Sequence, residues 1–177
     1  MRKRGYPPSP QCLVRVSETP LGPITLFFTG RGLAALDFAE GTSAREADPP
    51  AALAPLITAA EEELARYFTG APTDFSSLCL DLQGTPFQLR VWQELRKIPR
   101  GAAISYQELA ARVGNLKAVR AVGQANARNP LPLIIPCHRV IAADGSLGGY
   151  SSGLDRKRWL LRHEGTLGVE SGERPGT

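Results

Sequence analysis

The chain has 177 residues, 42% of them apolar, and a formal charge of +4, enough length and apolar content to build one ordinary domain or two small ones without disulfide or metal support. No run approaches the roughly 20 apolar residues of a membrane helix, and the opening M-R-K-R-G-Y-P-P-S-P is not followed by the apolar stretch of an export signal, so the expected location is cytoplasmic, with no membrane partner. Three cysteines, Cys12, Cys79 and Cys137, without C-x-x-C spacing suggest reduced thiols, and His138 and His163 lack a cysteine or carboxylate at metal-ligand spacing, so neither zinc nor another cofactor is expected.

In chain order, Leu13 to Val16, Ile24 to Phe28 and Leu33 to Phe38 read as short strands separated by turn formers at Pro20-Leu21-Gly22-Pro23 and Gly30-Arg31-Gly32. Gly41 to Pro50 reads as a polar surface loop. Leu53, Leu56, Ile57, Ala60, Leu64 and Phe68 then follow a helical period that ends at Gly70. After a connection rich in Pro, Ser and Thr, Thr85-Pro86 caps a helix whose apolar stripe is Phe87, Val91, Trp92, Leu95 and Ile98, stopped by Pro99. Ser105-Tyr106-Gln107-Glu108 is a capping box opening a helix to Gly114, and a further helix is predicted over about Lys117 to Arg128, with Val119 and Val122 inward. Two short helices joined by a Gly-containing turn make a helix-turn-helix candidate. The fold class is therefore α+β: a small N-terminal domain over 1–78, a mostly helical domain over 79–170, and a tail over 171–177 expected to be disordered.

Charge divides unevenly along this plan. Residues 85–164 carry 13 Lys and Arg against 5 Asp and Glu, whereas the remainder carries 8 against 12. That asymmetry suits either a basic region meeting a polyanion, nucleic acid first among them, or a solvated basic surface. The second helix of the pair offers Ala121, Gly123, Gln124, Ala125 and Ala127 on its exposed side, interrupted by Arg120 and Arg128. Small residues let a helix approach a minor groove about 6 Å wide, where longer side chains suit the major groove of about 12 Å. They equally suit close packing against protein.

The stretch Ile134 to Ala143, I-I-P-C-H-R-V-I-A-A, carries the chemistry. A free thiol of pKa about 8.5 is only a few per cent thiolate at pH 7, so a nucleophilic Cys137 needs a base, and His138 is the candidate. In an extended segment adjacent side chains diverge, so a turn or a water must connect the two. An acid to orient the imidazole would be Asp144, Asp155 or Glu164; spacing does not choose among them. Read alone, Cys137 also fits a buried structural thiol.

Taken together, Pro136 to Val140 (P-C-H-R-V), Asn129-Pro130, Arg120-Ala121-Val122-Gly123, Ser105-Tyr106 and Gly84-Thr85-Pro86-Phe87-Gln88 with Val91-Trp92 resemble the O6-alkylguanine-DNA alkyltransferase family. The downstream residues Gly145, Gly149-Tyr150, Lys157, Leu160-Leu161 and Glu164 continue the resemblance, which spans about Gly84 to Gly165. It implies a ribonuclease H-like N-terminal domain and a winged-helix/helix-turn-helix C-terminal domain. It also implies a repair protein acting on double-stranded DNA; the small residues of the second helix point to the minor groove, and one lesion per molecule points to a monomer. The alkyl group of O6-alkylguanine, or of O4-alkylthymine, would pass irreversibly to the protein's own cysteine.

By resemblance, Cys137 is the acceptor, His138 its base through water, Glu164 the acid that orients the histidine, and Asn129 the brace of the active-site turn. Tyr106 matches the phenol that assists the leaving guanine. Arg120 matches the finger that enters the duplex, with Ala121, Gly123, Gln124 and Ala127 on the DNA-facing helix. The backbone carbonyls of Val140 and Cys137, with Tyr150 and Ser151, would line the base pocket. Lys157 reads equally as a solvated charge in the run Arg156 to Arg158. Leu116 stands where the family commonly has proline, which would loosen the turn between the helices. A DNA-binding regulator with a structural Cys137, or a cysteine hydrolase, would be the rival readings, and neither accounts for Asn129 and Tyr106 alongside the Cys-His pair.

Overall fold

The computed structural model describes residues 11–16, 18–38 and 49–166. The tail predicted over 171–177 and all of the predicted loop except Pro49 and Pro50 lie outside the described residues. The chain divides into two compact units, one running to Gly84 and including Pro130–Ile134, the other formed by Thr85–Asn129 and the chain from Ile135 onward.

In the first unit, β1 (Cys12–Val16), β2 (Ile24–Thr29) and β3 (Gly32–Asp37) form an antiparallel sheet in that order. The first five residues of both β2 and β3 are buried without alternation, so these strands are covered on both faces, whereas β1 is partly exposed. The pairing of β2 with β3 shifts between Phe27 and Phe28, a bulge that bends the sheet. Beyond β3 the chain returns alongside it: Leu33 N–H donates to the Cys79 carbonyl and Asp81 N–H to the Leu33 carbonyl, both at 2.9 Å. Gly32 permits this approach, because a Cβ there would lie 2.4 Å from the Cys79 oxygen. Gly32→Ala is expected to cost roughly 1–3 kcal/mol, the range of an overpacked core; urea denaturation checks it, and an unchanged midpoint would mean that the strand yields freely.

The helix α1 (Ala54–Phe68) follows a 3-10 turn at Ala51–Leu53 and accepts Pro55 in its first turn, where the missing N–H has no intrahelical partner to lose. Its buried residues are Ile57, Ala60, Leu64 and Tyr67. The predicted stripe ended at Phe68, but steps of three and four from Ile57 lead to Tyr67, which is fully buried with Phe68 edge-on at 5.4 Å and Phe75 at 5.6 Å.

The second unit begins with α2 (Pro86–Arg96) behind a complete capping box. Thr85 Oγ1 accepts from Gln88 N–H at 3.3 Å and Thr85 N–H donates to Gln88 Oε1 at 2.9 Å. Val91, Trp92 and Leu95 are buried, and the Trp92 indole N–H donates to the Ala125 carbonyl at 2.9 Å. A two-residue strand β4 (Ile104–Ser105) pairs in parallel with β5 (Val140–Ile141). It leads into α3 (Tyr106–Arg112), where Ser105 Oγ accepts from Glu108 N–H at 3.0 Å. The box predicted there is half made, because the Glu108 carboxylate pairs with Arg112 at 2.7 Å.

The predicted helix over 117–128 is instead a 3-10 turn at Leu116–Ala118, capped by Asn115, followed by α4 (Val119–Ala127). Its buried stripe is Val122, Ala125 and Asn126, continued by Asn129. Two expectations are corrected: Val119, the first residue after the 3-10 turn, is 36% exposed, and Ala125, expected outside, lies inside where Trp92 meets its carbonyl. The last helix, α5 (Leu154–His163), follows Gly153 at φ 97°, a backbone state that favours glycine. Among the described residues no helix is long and apolar enough to cross a membrane.

Candidate active site

Cys137 stands at the start of a 3-10 turn, Cys137–Arg139, set up by the proline before it. Pro136 adopts φ −78°, ψ 63°, an inverse γ-turn closed by the Cys137 N–H donating to the Ile135 carbonyl at 2.7 Å. Proline suits the centre of that turn because its φ is preset. The turn also removes the extended geometry that would have sent Cys137 and His138 apart. Asn129 is fully buried, and its Nδ2 donates to the Ile135 carbonyl at 2.7 Å, tying together the two points between which residues 130–134 pass through the first unit.

His138 is fully buried, with Nε2 2.8 Å from Glu164 Oε1. A carboxylate can only accept, so Nε2 carries the proton, and in the neutral ring Nδ1 keeps its lone pair. That Nδ1 is buried and has no hydrogen-bond partner among the described residues. Of the three candidate acids, Asp144 is exposed and Asp155 pairs with Arg158 at 3.0 Å, leaving Glu164 as the one that meets the histidine.

Arg139, absent from the sequence-based assignments, completes the cluster. Its Nε donates to Glu164 Oε2 at 2.7 Å and Nη2 to Oε1 at 2.9 Å, while Nη1 reaches the Ile98 carbonyl at 2.5 Å. Burial acts to raise the Glu164 pKa, but His138 and Arg139 more than offset it and hold the carboxyl well below its ordinary value. Burial lowers the His138 pKa, against the pull of Glu164, and keeps the ring neutral at pH 7.

Lys157 overturns its reading as a solvated charge. It is fully buried, and its ammonium donates to the carbonyls of Val140 at 2.6 Å, Leu147, and Gly149 at 3.3 Å. Burial pulls its pKa down to about 8, opposed by Cys137 in its ionised form, so it stays largely charged at neutral pH. The periodicity carried this signal: Lys157, Leu160, Leu161 and Glu164 fall at helical spacing and all are buried.

A cavity of about 310 Å³ is lined by Tyr106, Gly123, Asn126, Ala127, Cys137, Gly149, Tyr150 and Ser151. Tyr106 donates weakly to the Gly149 carbonyl at 3.4 Å. Its pKa is raised by burial and then by Cys137 in its ionised form, with the Asn126 side chain opposing, so the phenol stays protonated. Tyr150 and Ser151 line this cavity, while Val140 is fully buried and its carbonyl accepts from Lys157. Asn126, which sequence reasoning passed over, is 4% exposed and donates towards the Cys137 carbonyl at 3.5 Å.

Along α4, Arg120, Ala121, Gln124 and Ala127 are exposed and Gly123 is half-buried, so the thin surface adjoins the cavity through Gly123 and Ala127. No Asp or Glu occurs between residues 109 and 143, against five Lys and Arg.

These features define a class: a helix-turn-helix domain with a basic, small-residue helix beside a cavity lined by a cysteine, whose neighbour in the chain is a buried histidine paired with a carboxylate. The family models narrow it. The DNA binding domain of 6-O-methylguanine DNA methyltransferase matches residues 86–166, and the ribonuclease-like domain of the same family matches residues 13–82. The chain belongs to this family.

The methylated-DNA--protein-cysteine methyltransferase of Methanosarcina acetivorans is 43% identical over 152 residues, covering 85% of this chain and 97% of that protein. The Salmonella typhimurium protein of the same name is 51% identical over 106 residues, and there the match spans 60% of this chain and 62% of the relative. Among solved structures, Mycobacterium tuberculosis OGT in complex with DNA has a TM-score of 0.74 at 42% identity, covering 88% of this chain and 95% of that one.

Proposed function

We propose that this chain repairs O6-alkylguanine in double-stranded DNA by moving the alkyl group to Cys137, once per molecule. The observation that carries the reading is Cys137 in a cavity with Tyr106, followed in the chain by a buried His138 whose Nε2 is held by Glu164. The alkyl carbon on O6 lies inside the stacked duplex, so the base must be extruded, at a cost of a few kcal/mol. The thin face of α4 suits approach through the minor groove, and Arg120 fills the gap left in the stack.

In the cavity, His138 Nδ1 takes the thiol proton through a water, and the thiolate attacks the alkyl carbon. The carbon–sulfur bond forms as the carbon–O6 bond breaks, the electron pair passes to guanine, and the Tyr106 hydroxyl donates a proton as that charge develops. The thioether product has no easy hydrolytic or exchange route, which makes the reaction stoichiometric. O4-alkylthymine offers the same alkyl–oxygen bond and is the second candidate substrate. In this reading residues 79–170 form the alkyltransferase domain and 1–78 support it, and the protein works as a cytoplasmic monomer.

The test is incubation with duplex DNA bearing radiolabelled O6-methylguanine, in which label should move to protein up to one equivalent. Label released as a free small molecule with continued turnover would identify a hydrolase instead. In Arg120→Ala, duplex repair should fall roughly tenfold or more beyond any loss with free O6-benzylguanine, because only the duplex demands extrusion. Equal losses on the two substrates would remove Arg120 from that step.

A further inference from the structure

His138 can act as a base only while it is neutral, yet it lies 2.8 Å from a buried carboxylate. A lone carboxylate at that distance favours the imidazolium, which has no lone pair to receive a thiol proton. Arg139 removes this conflict. Its guanidinium occupies both oxygens of Glu164 at 2.7 and 2.9 Å, sharing Oε1 with the histidine, and is anchored at its far end on the Ile98 carbonyl. The side chain is 9% exposed and Glu164 fully buried, so the fork is shielded from water.

We infer that Arg139 is a positioning residue for the proton transfer: it holds Glu164 by both oxygens, so that the carboxylate orients the His138 Nε2–H without drawing a second proton onto the ring. The inference rests on the alkyl-transfer reading for its reaction, but its geometry does not.

The groups facing His138 are Glu164 beyond α5, Arg139 in its own turn and Lys157 on α5. Burial lowers the histidine most, Glu164 raises it, and the two cations lower it. Lys157 is engaged with the carbonyls of Val140, Leu147 and Gly149, so replacing Arg139 leaves that second cation in place. A lysine at 139 would keep the charge and lose the planar fork.

The experiment is the rate of transfer from O6-methylguanine duplex against pH for the wild type, Arg139→Gln and Arg139→Lys. In Arg139→Gln the midpoint of the acid limb should move up by about one pH unit, the scale of a close charge partner. Arg139→Lys should fall between that variant and the wild type. A midpoint unchanged in both, with rates lowered equally at every pH, is what simple loss of folded protein would give and would overturn the inference.

Histidine NMR reads the same point in the wild type, where His163 is the only other imidazole. His138 should remain the neutral Nε2–H tautomer at pH 7, and an imidazolium there overturns the inference even if neither variant folds. A wild type that accepts no label would instead refute the alkyl-transfer reading, leaving the histidine titration to decide the role of Arg139.

Discussion

Cys137→Ala should accept no label from O6-methylguanine DNA above background, while binding the same duplex as the wild type does. The side chain is 1% exposed at the wall of the cavity, so trimming it removes the nucleophile without altering the exposed face of α4. Neither other cysteine can stand in. Cys12 is buried in the first unit, and burial pushes its thiol pKa up. Cys79 is exposed and also belongs to the first unit, which contains neither of the chain's two histidines. Intact-mass analysis gives the clearest reading, with the wild type gaining one methylene per molecule and the variant gaining none. A stoichiometric gain in Cys137→Ala would put the acceptor elsewhere and end the mechanism.

Local rules made much of this architecture legible. Thr85-Pro86 marks the start of α2 because an N-cap followed by proline satisfies the helix end in a way that depends on adjacent residues alone. The Cys-His pair was likewise visible, since its chemistry is carried by neighbours in sequence. What the sequence hid were decisions made in three dimensions. Lys157 looked like one of three consecutive basic residues, and its burial depends on carbonyls from residues 140, 147 and 149 gathering around one ammonium. Spacing did not separate Glu164 from Asp144 or Asp155, and only the family resemblance pointed to it, because the contact forms where the turn after α5 meets the Cys137–Arg139 turn. Ala125 and Val119 were misplaced because composition favours valine inside, whereas the register of α4 is set by a contact with Trp92 from another helix.

The same buried cluster should dominate the response of stability to acid. Glu164→Gln keeps the shape of the side chain but leaves the Arg139 guanidinium buried without a counter-charge. Breaking a buried ion pair by removing one partner costs about 3–5 kcal/mol. In the wild type, both His138 and Glu164 have folded pKa values below their ordinary ones. The unfolded chain therefore binds protons first as pH falls, through about 6.5 for the histidine and about 4.3 for the carboxyl, and stability declines on the acid side. The carboxylate's contribution is fully present above its ordinary value and is lost as the pH drops through the folded one. Glu164→Gln should accordingly lie far below the wild type at pH 7, with the gap narrowing from about pH 5 downward as the unfolded wild-type chain takes up the proton for which the variant has no site. Thermal unfolding of both proteins between pH 7 and pH 3 checks this, and a gap in Tm that stays constant across the range would show that Glu164 acts through packing rather than through its charge.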